Sequence, residues 1–498
     1  MAARKNAPKV KATPQARLSS IIDTARKTMR KDAGLNGDLD RIPQLAWLLF
    51  LKAFDGLEQE REVVESHHRP AIEAPYRWRD WAADPINGPT GDELIVFVND
   101  QLFPYLRELV GDNERDPRDV LATVFKETYN RMVSGYLLRD VVDQVNQIDF
   151  TSSDDIHTIA HLYESMLREV RDAAGDSGEF YTPRPVIRFM VQMVDPRLGE
   201  SVLDPAAGTG GFLVESFEHL RPQVEKVADR EALTRNLRGI EKKPLPYLLG
   251  MMNLLLHGLE RPNLQRSNAL ARPLQEIKRA EKVDVILTNP PFGGEEERSI
   301  LANFPAGTQT AETAWLFMQL VQRMLADGGR CGIVVPNGVL FADGVGGRIK
   351  ADLMTNCDLH TVVRLGSGVF APYTDIPANL LFFEKTGATK DVWFYEIPPP
   401  EGRKKYSKTR PMRFEEFDDC ITWWGGGSRE GRVETERAWK VPASDIEASG
   451  WNLDLKNPNR ADDLAHRPPE QLIADLVATE EQILELLREL QSEFGTSE

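Results

Sequence analysis

The sequence predicts an α/β protein in which a doubly wound, mostly parallel sheet follows an all-α N-terminal domain and precedes a C-terminal helix. Three patterns predict this arrangement. Apolar residues recur at three- and four-residue spacing through residues 18–170, as in amphipathic helices. Short apolar runs then alternate with helical stretches up to residue 384, which is typical of βαβ units. A heptad pattern closes the chain.

Composition and charge restrict the kinds of partner and site. The 498 residues are 41% hydrophobic and 28% charged, which is enough apolar material for several globular domains. A net charge of −16 excludes diffuse attraction to nucleic acid or anionic lipid as the main binding force, so a polyanion must be held locally. Three widely separated cysteines without CxxC spacing argue against a disulfide framework or a zinc site and fit a reducing cytoplasm.

The first domain is predicted to be helical over residues 1–172 and to start with a flexible basic arm. Helical periodicity is strongest in four stretches, residues 42–57, 94–110, 120–138 and 156–170. A run of small and polar residues at 173–178 marks the end of the domain. No stretch approaches the ~20 apolar residues of a membrane helix, and the basic start lacks the apolar core of a secretory signal. We therefore expect no membrane contact.

The second domain, residues 173–400, carries the predicted sheet. Its strands are expected at residues 201–203, 238–240, 283–287, 332–335, 361–365 and 379–383. In doubly wound sheets, ligands bind beyond the carboxyl ends of the strands, where loops from neighbouring strands converge. The residues that follow these runs are therefore the candidates for a site.

Two segments complete the chain. Residues 401–467 form an irregular extension rich in charged and aromatic residues, for which the sequence predicts no fold. Residues 468–498 are predicted to be one helix with an apolar seam that only Glu480 interrupts. The seam consists of Ile473, Leu476, Glu480, Ile483, Leu487, Leu490 and Phe494. Such a seam favours a partner helix, and packing on the helix's own domain is the alternative.

The first candidate site is a glycine-rich turn between a strand and a helix. It follows Asp204 and contains Ala206, Gly208, Thr209, Gly210 and Gly211. Glycines let the backbone turn sharply and approach a ligand closely. The turn lacks both the Gly-Lys-Ser/Thr of a phosphate loop and the GxGxxG of a dinucleotide fold, so phosphate binding is not indicated. An acid at a strand end suits a ligand with an ammonium group, such as S-adenosylmethionine; a plain tight turn is the alternative.

A second acid, Glu241, directly follows the next predicted strand. A carboxylate in this position can accept hydrogen bonds from both hydroxyls of a ribose, as the acid after the second strand does in other nucleotide-binding folds. A solvated glutamate at a strand end is the simpler interpretation. Glu241 taken alone favours that simpler interpretation.

The most specific motif is Asn289-Pro290-Pro291-Phe292, which follows the apolar run at 283–287. The exocyclic amine of a base is a poor nucleophile because its lone pair is delocalised into the ring. If the Asn289 side-chain oxygen and the Pro290 carbonyl each accept one of its hydrogens, the lone pair can face a methyl donor, and prolines hold both acceptors in place. Phe292 can stack on a base that has left the duplex; packing in the core is the alternative.

In this order the motifs resemble those of the N6-adenine DNA methyltransferases. Over nearly its whole length the chain is similar to the modification (M) subunits of type I restriction-modification systems. The similarity also includes residues 46–52, 178–185, 335–338 and 453–458, together with Asn253 and His257, for which a packing role is equally expected. It implies a class I, Rossmann-like, S-adenosylmethionine-dependent methyltransferase domain and an adenine-specific DNA methyltransferase of the cytoplasm.

The resemblance also implies residue roles. Tyr181, Thr182 and Pro183 would hold the methionine part of the cofactor, S-adenosylmethionine. The glycine-rich turn would line the cofactor, and Glu241 would bind its ribose. A helix start, with Thr182 as N-cap and Pro183 as first residue, is compatible with that role. Members usually carry an acid after the third strand, where this chain has Asn268, whose amide oxygen can still accept a hydrogen bond from the cofactor's adenine.

The predicted reaction is methyl transfer from S-adenosylmethionine to N6 of an adenine flipped out of double-stranded DNA. No covalent enzyme intermediate is expected, because the chain has no Pro-Cys nucleophile motif. No module for reading bases is recognisable in the sequence. The resemblance implies that a separate specificity (S) subunit chooses the site, with two M per S, and that a restriction (R) subunit joins the full complex. The helix predicted at 468–498 is the candidate S contact.

Two other classes of function stay open. A methyltransferase acting on cytosine N4, on RNA or on a protein glutamine could use the same Asn-Pro-Pro-aromatic geometry. The long helical N-terminal domain and residues 181–183 favour the type I family over these. A non-catalytic clamp that binds DNA or the S subunit is the second alternative, and it is suggested by Asn268 in place of the usual acid.

Overall fold

The computed structural model describes residues 13–64, 68–112, 116–174, 181–259, 261–459, 477 and 480. What is described falls into two compact units, Met1–Arg432 with Lys440–Leu455 and Val433–Trp439 with Lys456–Glu498. No helix in the described ranges is long and apolar enough to cross a membrane. The domain boundaries at 172, 400 and 467 stay predictions. The apolar seam predicted for the C-terminal helix lies outside the described residues, Glu480 excepted.

Helices build the N-terminal part of the chain. They are α1 (Pro14–Met29), α2 (Asp38–Val64), α3 (Trp78–Trp81), α4 (Gly91–Val96), α5 (Phe103–Arg107), α6 (Pro117–Phe125), α7 (Gly135–Asn146) and α8 (Ser153–Ala174). A π turn at Phe97–Leu102 joins α4 to α5. The centre of α2 is buried all round, since none of the residues from Trp47 to Leu51 is more than 2% exposed. This apolar run is therefore the core of a helical layer.

One stretch of helical periodicity, residues 120–138, does not form a single helix. It spans the end of α6, an irregular segment and the start of α7. Arg107 donates hydrogen bonds to the carbonyls of Phe125 (2.9 Å) and Thr128 (2.9 Å), which satisfies the end of α6. Ser134 is the N-cap of α7 and accepts from an amide of its first turn (3.3 Å). These hydrogen bonds end α6 and begin α7, although the apolar periodicity of the sequence runs through both helices.

One nine-stranded sheet forms within the described residues. Its strands are β1 (Val202–Asp204), β2 (Leu237–Glu241), β3 (Asn263–Arg266), β4 (Val283–Thr288), β5 (Leu325–Pro336), β6 (Asp358–Leu365), β7 (Ala378–Glu384), β8 (Asp391–Ile397) and β9 (Ala438–Pro442). The order is β3-β2-β1-β4-β5-β7-β6-β8-β9. Strands from β3 to β5 pair in parallel, as β6 does with β8, whereas β7 runs antiparallel between β5 and β6. The predicted α/β fold with a mostly parallel sheet is confirmed.

Five of the six predicted runs lie wholly within a strand and the run at 201–203 overlaps β1, but β3, β8 and β9 were not predicted. β3 is the edge strand of the sheet, and Leu264 is its one buried residue. An edge strand of this kind needs no apolar run, which is why periodicity missed it. β8 and β9 mix buried residues with half-buried or exposed ones, a pattern that a search for continuous apolar runs overlooks.

Helices cover the sheet and connect its strands. They are α9 (Arg184–Val194), α10 (Gly211–Leu220), α11 (Val227–Asn236), α12 (Pro244–Leu256), α13 (Arg298–Leu301), α14 (Thr313–Met324), α15 (Asn337–Phe341), α16 (Gly344–Asn356), α17 (Asp418–Trp424) and α18 (Ala443–Ala448). The Tyr163 hydroxyl on α8 donates to the carbonyl of Leu249 on α12 (3.2 Å) and ties the helical part to the sheet. Since β1 lies between β2 and β4, the strand order reverses at β1 and opens a crevice at the carboxyl ends.

The segment that follows β8 joins the hydrophobic core through aromatic residues. The ring of Phe417 stacks on that of Phe189 in α9, with centroids 4.3 Å apart. Trp424 meets Phe382 of β7 edge to face at 4.9 Å. The guanidinium of Arg432 lies 4.5 Å from the Trp424 ring centroid. This part of the predicted irregular extension therefore packs on the sheet, although its aromatic residues carry no regular spacing.

Candidate active site

The carboxyl ends of β1 and β4 are tied together by their last residues. Thr288 donates from Oγ1 to Oδ1 of Asp204 (2.7 Å), and the same oxygen accepts from the amide of Ala206 (3.1 Å). Both Asp204 and Thr288 are buried. The acid therefore lies at the head of the glycine-rich turn and beside Asn289, the residue that follows β4.

A cleft opens at this point. It is lined by Tyr181, Thr182, Arg184, Ile187, Asp204, Ala206, Ala207, Thr209, Gly211, Phe212 and Asn289. Three segments that are far apart in the sequence meet here: the residues before α9, the turn after β1 and the motif after β4. The predicted site residues outside this lining are Pro183, Gly208, Gly210, Glu241, Asn268, Pro290, Pro291 and Phe292. Sequence reasoning missed Arg184, Ile187, Ala207 and Phe212, of which Arg184 lies in a segment of family similarity.

The carboxyl group of Asp204 is electrostatically unusual. Burial raises its pKa to about 7, and the negative charge of Glu241 adds to the rise. The hydrogen bonds from Thr288 and Ala206 act in the opposite direction. In the described part of the chain no cationic side chain pairs with Asp204. A buried carboxyl group without a cation favours a positively charged ligand group.

The glycine-rich turn is fixed by backbone conformation and by two side chains. Gly208 (φ 52°) and Gly210 (φ 75°) are in the left-handed region, which side chains other than glycine rarely adopt. The amide of Gly208 donates to Oε2 of Glu241 (2.9 Å). Nδ2 of the fully buried Asn253 donates to the carbonyl of Thr209 (2.8 Å). Asn253 therefore anchors the turn through this hydrogen bond. The sequence left open whether Asn253 is a site residue or a packing residue.

Backbone amides hold the carboxylate of Glu241 beside the glycine-rich turn. Besides the amide of Gly208, its carboxylate accepts from the amide of Lys243 (2.6 Å). The residue is buried, and burial raises its pKa. These contacts contradict the simpler interpretation of a solvated glutamate at a strand end. Glu241 instead presents a carboxylate beside the glycine-rich turn.

The segment before α9 differs from the predicted helix start. α9 begins at Arg184 and its N-cap is Pro183, so the prediction of Thr182 as N-cap is wrong. Thr182 is used elsewhere, because its Oγ1 accepts a hydrogen bond from Nδ2 of Asn289 (3.0 Å). Arg184 donates to the carbonyl of Gly211 (3.0 Å) and so links this segment to the glycine-rich turn.

The oxygen of the Asn289 amide is unpaired in the described part of the chain. Its Oδ1 is buried and has no hydrogen-bond partner among the described residues. An unpaired buried acceptor costs about 1–3 kcal/mol, so proteins rarely leave one without a use. Because Thr182 holds the nitrogen, the oxygen is fixed in place. The amide is thus arranged to accept a hydrogen from a ligand in the cleft.

Phe292 lies between core and surface. It is half-buried, and its ring meets that of Phe370 edge to face at 5.1 Å and that of Tyr373 at 6.3 Å. Both partners belong to the loop between β6 and β7, which the sequence did not connect with the site. These ring contacts are of the kind expected from the alternative in which Phe292 packs in the core. Pro290 of the same motif is buried and Pro291 is half-buried.

Asn268 follows β3 and lies apart from the cleft. Its Oδ1 accepts from the amide of Leu270 (3.0 Å), and its Nδ2 donates to a carboxylate oxygen of Glu296 (3.4 Å). The amide oxygen that was expected to contact the cofactor's adenine is thus already used in a local turn. The role of Asn268 in adenine binding stays a prediction.

Two family models match the chain. The HsdM N-terminal domain matches residues 18–145, and the N-6 DNA Methylase model matches residues 154–466, more than half of the chain.

The chain belongs to the N-6 DNA methylases.

Relatives of this N-6 DNA methylase are methylase subunits of type I restriction enzymes. The EcoEI methylase subunit of Escherichia coli is 48% identical over 96% of this chain and 98% of its own length. A crystal structure of a modification subunit of a putative type I restriction enzyme from Vibrio vulnificus YJ016 superposes with a TM-score of 0.81 at 57% identity, over 92% of this chain and 100% of that one. A chain from a structural study of complex assembly and conformational transition in the type I R-M system reaches 0.82 at 40% identity, over 98% and 100%.

These similarities confirm the predicted family, fold class and activity. The N-6 DNA methylase is a type I restriction-modification subunit and an adenine-specific DNA methyltransferase.

Proposed function

We propose that the cleft at β1 and β4 binds S-adenosylmethionine and receives a flipped-out adenine, whose N6 takes the methyl group. The observation that carries the proposal is the amide of Asn289, whose nitrogen is bound to Thr182 and whose buried oxygen has no partner among the described residues. It lies in the same cleft as Asp204, whose buried carboxyl group has no cationic partner among the described residues. One site thus offers an acceptor for an N–H group beside a place for an ammonium group.

The residues present fit this cofactor. S-adenosylmethionine supplies an electrophilic methyl group on a sulfonium ion, together with an ammonium group and a ribose. Asp204 would hold the ammonium group, because its carboxylate lacks a cation and lies at the head of the turn. Glu241 would take the ribose hydroxyls, since its carboxylate lies at the end of β2 beside the glycine-rich turn. Tyr181 and Thr182 line the cleft, and the family resemblance assigns them, with Pro183, to the methionine part of the cofactor.

The Asn289 motif would orient the target amine. Oδ1 of Asn289 and the carbonyl of Pro290 would each accept one hydrogen of N6, so that the nitrogen lone pair faces the methyl donor. Proximity and orientation of this kind can supply several kcal/mol of barrier reduction. Phe292 would stack on the base, which must leave the duplex at a cost of a few kcal/mol. The proton leaves after the methyl group has been transferred.

The cysteines support direct transfer without a covalent intermediate. Cys331, Cys357 and Cys420 are buried, and burial raises the pKa of each thiol. Since the thiolate is the nucleophilic form, none of them suits nucleophilic attack on a base. In-line displacement at the sulfonium methyl is therefore the chemistry that this chain's residues favour.

Analysis of the methylated product tests the proposed function. DNA incubated with S-adenosylmethionine and the complex of this chain with its S subunit is digested to nucleosides, which are separated by mass spectrometry. We expect N6-methyladenine. N4-methylcytosine as the product would reassign the target, and label transferred to RNA or protein would do the same. Absence of S-adenosylmethionine binding in a calorimetric titration of the complex would favour the non-catalytic clamp.

Cofactor affinity should fall as the pH falls below 7. The pKa of Asp204 is about 7, and only its ionised form attracts an ammonium group. Lowering the pH from 7.5 to 6 reduces the ionised fraction, so we expect the Kd for S-adenosylmethionine to rise about five- to tenfold. Calorimetric titration at the two pH values measures this change. The Asp204→Asn variant is the control, because its weaker affinity should not vary with pH over this range.

Thr182→Val should slow methyl transfer without weakening cofactor binding. The substitution keeps the shape of the side chain and removes the acceptor that holds Asn289, so we expect kcat to fall about tenfold. Thr182→Ser keeps the hydroxyl and should restore most of the rate. The predicted contact of Thr182 with the methionine part makes the opposite forecast, a higher Kd at unchanged kcat. Steady-state kinetics and a titration of the same variants therefore distinguish the two roles.

The partners follow from the family. We infer that the chain works in the cytoplasm with double-stranded DNA, an S subunit bound by two M subunits, and an R subunit in the full complex. The structural relative from a type I R-M system supports assembly of this general kind. The predicted S contact is the apolar seam of residues 473–494, which lies outside the described residues.

Removal of the residues after Pro469 should abolish the complex with the S subunit. A helix that offers an apolar seam loses its binding energy when the seam is deleted. Gel filtration of the truncated chain mixed with S measures the result, and S-adenosylmethionine binding by the truncated chain is the control for folding. A complex that elutes as before would show that the S contact lies elsewhere.

A further inference from the structure

The end of β3 lies where the base of a bound nucleoside must go. If Asp204 at the end of β1 holds the amino-acid part and Glu241 at the end of β2 holds the ribose, the base extends further in the same direction, to the end of β3. The amide of Ser267 donates to the carbonyl of Glu241 (3.1 Å), which keeps the two strand ends together. The side chains around Asn268 therefore decide how the base is recognised.

Glu296 brings a carboxylate to this position from another loop. Its carboxylate oxygens lie 3.0 and 3.1 Å from Nζ of Lys242, the residue after Glu241, and 3.4 Å from Nδ2 of Asn268. The Glu296 side chain is only 9% exposed, whereas that of Lys242 is 54% exposed. The neighbours Glu295 and Glu297 are both exposed. Of three consecutive glutamates, the middle one is thus turned inward.

The loop that carries Glu296 is held in place by its backbone. The amide of Glu296 donates to the carbonyl of Ala311 (3.0 Å), and Oγ1 of Thr313 donates to the carbonyl of Gly294 (3.0 Å). A carboxylate has about four acceptor sites, and Lys242 and Asn268 use three of them on Glu296. One acceptor site remains, on an inward-turned and anchored side chain.

We propose that Glu296 accepts the hydrogen bond from the 6-amino group of the cofactor's adenine, in the role that the sequence assigned to Asn268. This inference rests on the proposed binding of S-adenosylmethionine. Asn268 orients Glu296 through its amide nitrogen, and its own oxygen stays bound to Leu270. The acid that the segment after β3 lacks is therefore supplied by the loop after β4. Since that loop begins with Asn289-Pro290-Pro291-Phe292, one loop holds both the cofactor's base and the target amine.

Two ligands that differ only at the 6-amino group test this role. The full chain is titrated in a calorimeter with S-adenosylhomocysteine and with its analogue whose purine lacks the 6-amino group. A hydrogen bond to a carboxylate is worth about tenfold or more in affinity, so the unchanged protein should prefer S-adenosylhomocysteine by that factor. Glu296→Ala should bring the two affinities within about twofold of each other. Glu295→Ala, the matched change at an exposed neighbour, should keep the full preference.

The remaining outcomes distinguish a failure of the role of Glu296 from a failure of cofactor binding. A Glu296→Ala protein that still prefers S-adenosylhomocysteine tenfold overturns the role of Glu296, as does an unchanged protein that binds both ligands equally. Lys242→Ala should keep the preference for S-adenosylhomocysteine. If Lys242→Ala loses this preference to the same extent as Glu296→Ala, Glu296 acts only as a partner of Lys242 and the inference is overturned. If the unchanged protein binds neither ligand, the proposed cofactor itself is wrong, which is a separate failure.

Discussion

Replacing Asn289 by alanine is expected to lower the rate of adenine methylation by about 10²- to 10³-fold or more, while the Kd for S-adenosylmethionine stays within about twofold. In the proposed site, the side chain would contribute one acceptor to the target amine and no charge to the cofactor. Its Oδ1 is the acceptor that lacks a partner among the described residues, and its Nδ2 is bound to Thr182. Loss of this acceptor leaves the amine free to rotate its lone pair away from the methyl donor.

The measurement pairs single-turnover methylation of a DNA duplex with calorimetric titration of the cofactor. Asn356→Ala serves as the matched control, because Asn356 is exposed at the end of α16 and pairs with Asp352 of the same helix. It should leave both quantities unchanged. An Asn289→Ala protein that methylates DNA at the rate of the unchanged chain would remove Asn289 from the reaction. A large rise in the Kd of Asn289→Ala for S-adenosylmethionine would instead indicate that Asn289 binds the cofactor.

The positions of the polar residues at the strand ends could be predicted because each follows an apolar run. β1 ends at Asp204, β2 ends at Glu241, and Asn289 comes directly after β4. Parallel strands bring their carboxyl ends to one edge of the sheet, so the sequence alone places these three residues near one another. Local pattern and one topological rule were sufficient for this part of the site.

The contacts that orient these residues could not be predicted. Thr182 and Asn289 are hydrogen-bonded although 107 positions separate them, and Asn253 reaches Thr209 over 44 positions. Neither contact follows from periodicity, because each depends on how a helix packs against the sheet. Glu296 is a stronger example, since three adjacent glutamates look alike in the sequence and only packing turns one of them inward. Sequence patterns of this kind predict where a site lies more readily than how it is held.

Asp204→Asn is expected to weaken cofactor binding and to stabilise the cofactor-free protein. The change would remove the proposed charge-assisted hydrogen bond to the ammonium group, which should raise the Kd for S-adenosylmethionine about 10- to 100-fold. It also removes a buried carboxylate that has no cationic partner among the described residues. The asparagine oxygen can still accept from Thr288 and from the amide of Ala206, so the ends of β1 and β4 stay joined.

The stability gain should depend on pH in a defined direction. The pKa of Asp204 rises from its ordinary value of 3.8 to about 7 on folding, so the native state binds a proton more tightly than the unfolded state. Stability therefore falls as the pH rises from about 4 to 7, and the cost is complete above pH 7. Asp204→Asn should be more stable than the unchanged chain by at least about 1 kcal/mol at pH 8, and this difference should shrink near pH 5.

Thermal unfolding at pH 5 and pH 8, with and without S-adenosylmethionine, measures both effects. Without cofactor, the variant should unfold at the higher temperature at pH 8. With saturating cofactor this difference in stability should narrow by about 1.4–2.7 kcal/mol, because binding that is 10- to 100-fold tighter stabilises the unchanged chain more. Glu200, which pairs with Arg330 near the surface, offers the control Glu200→Gln, where loss of a paired carboxylate should lower stability at pH 8. If Asp204→Asn also lowers stability at pH 8, its carboxylate has a stabilising partner, and the case for an ammonium ligand at this position fails.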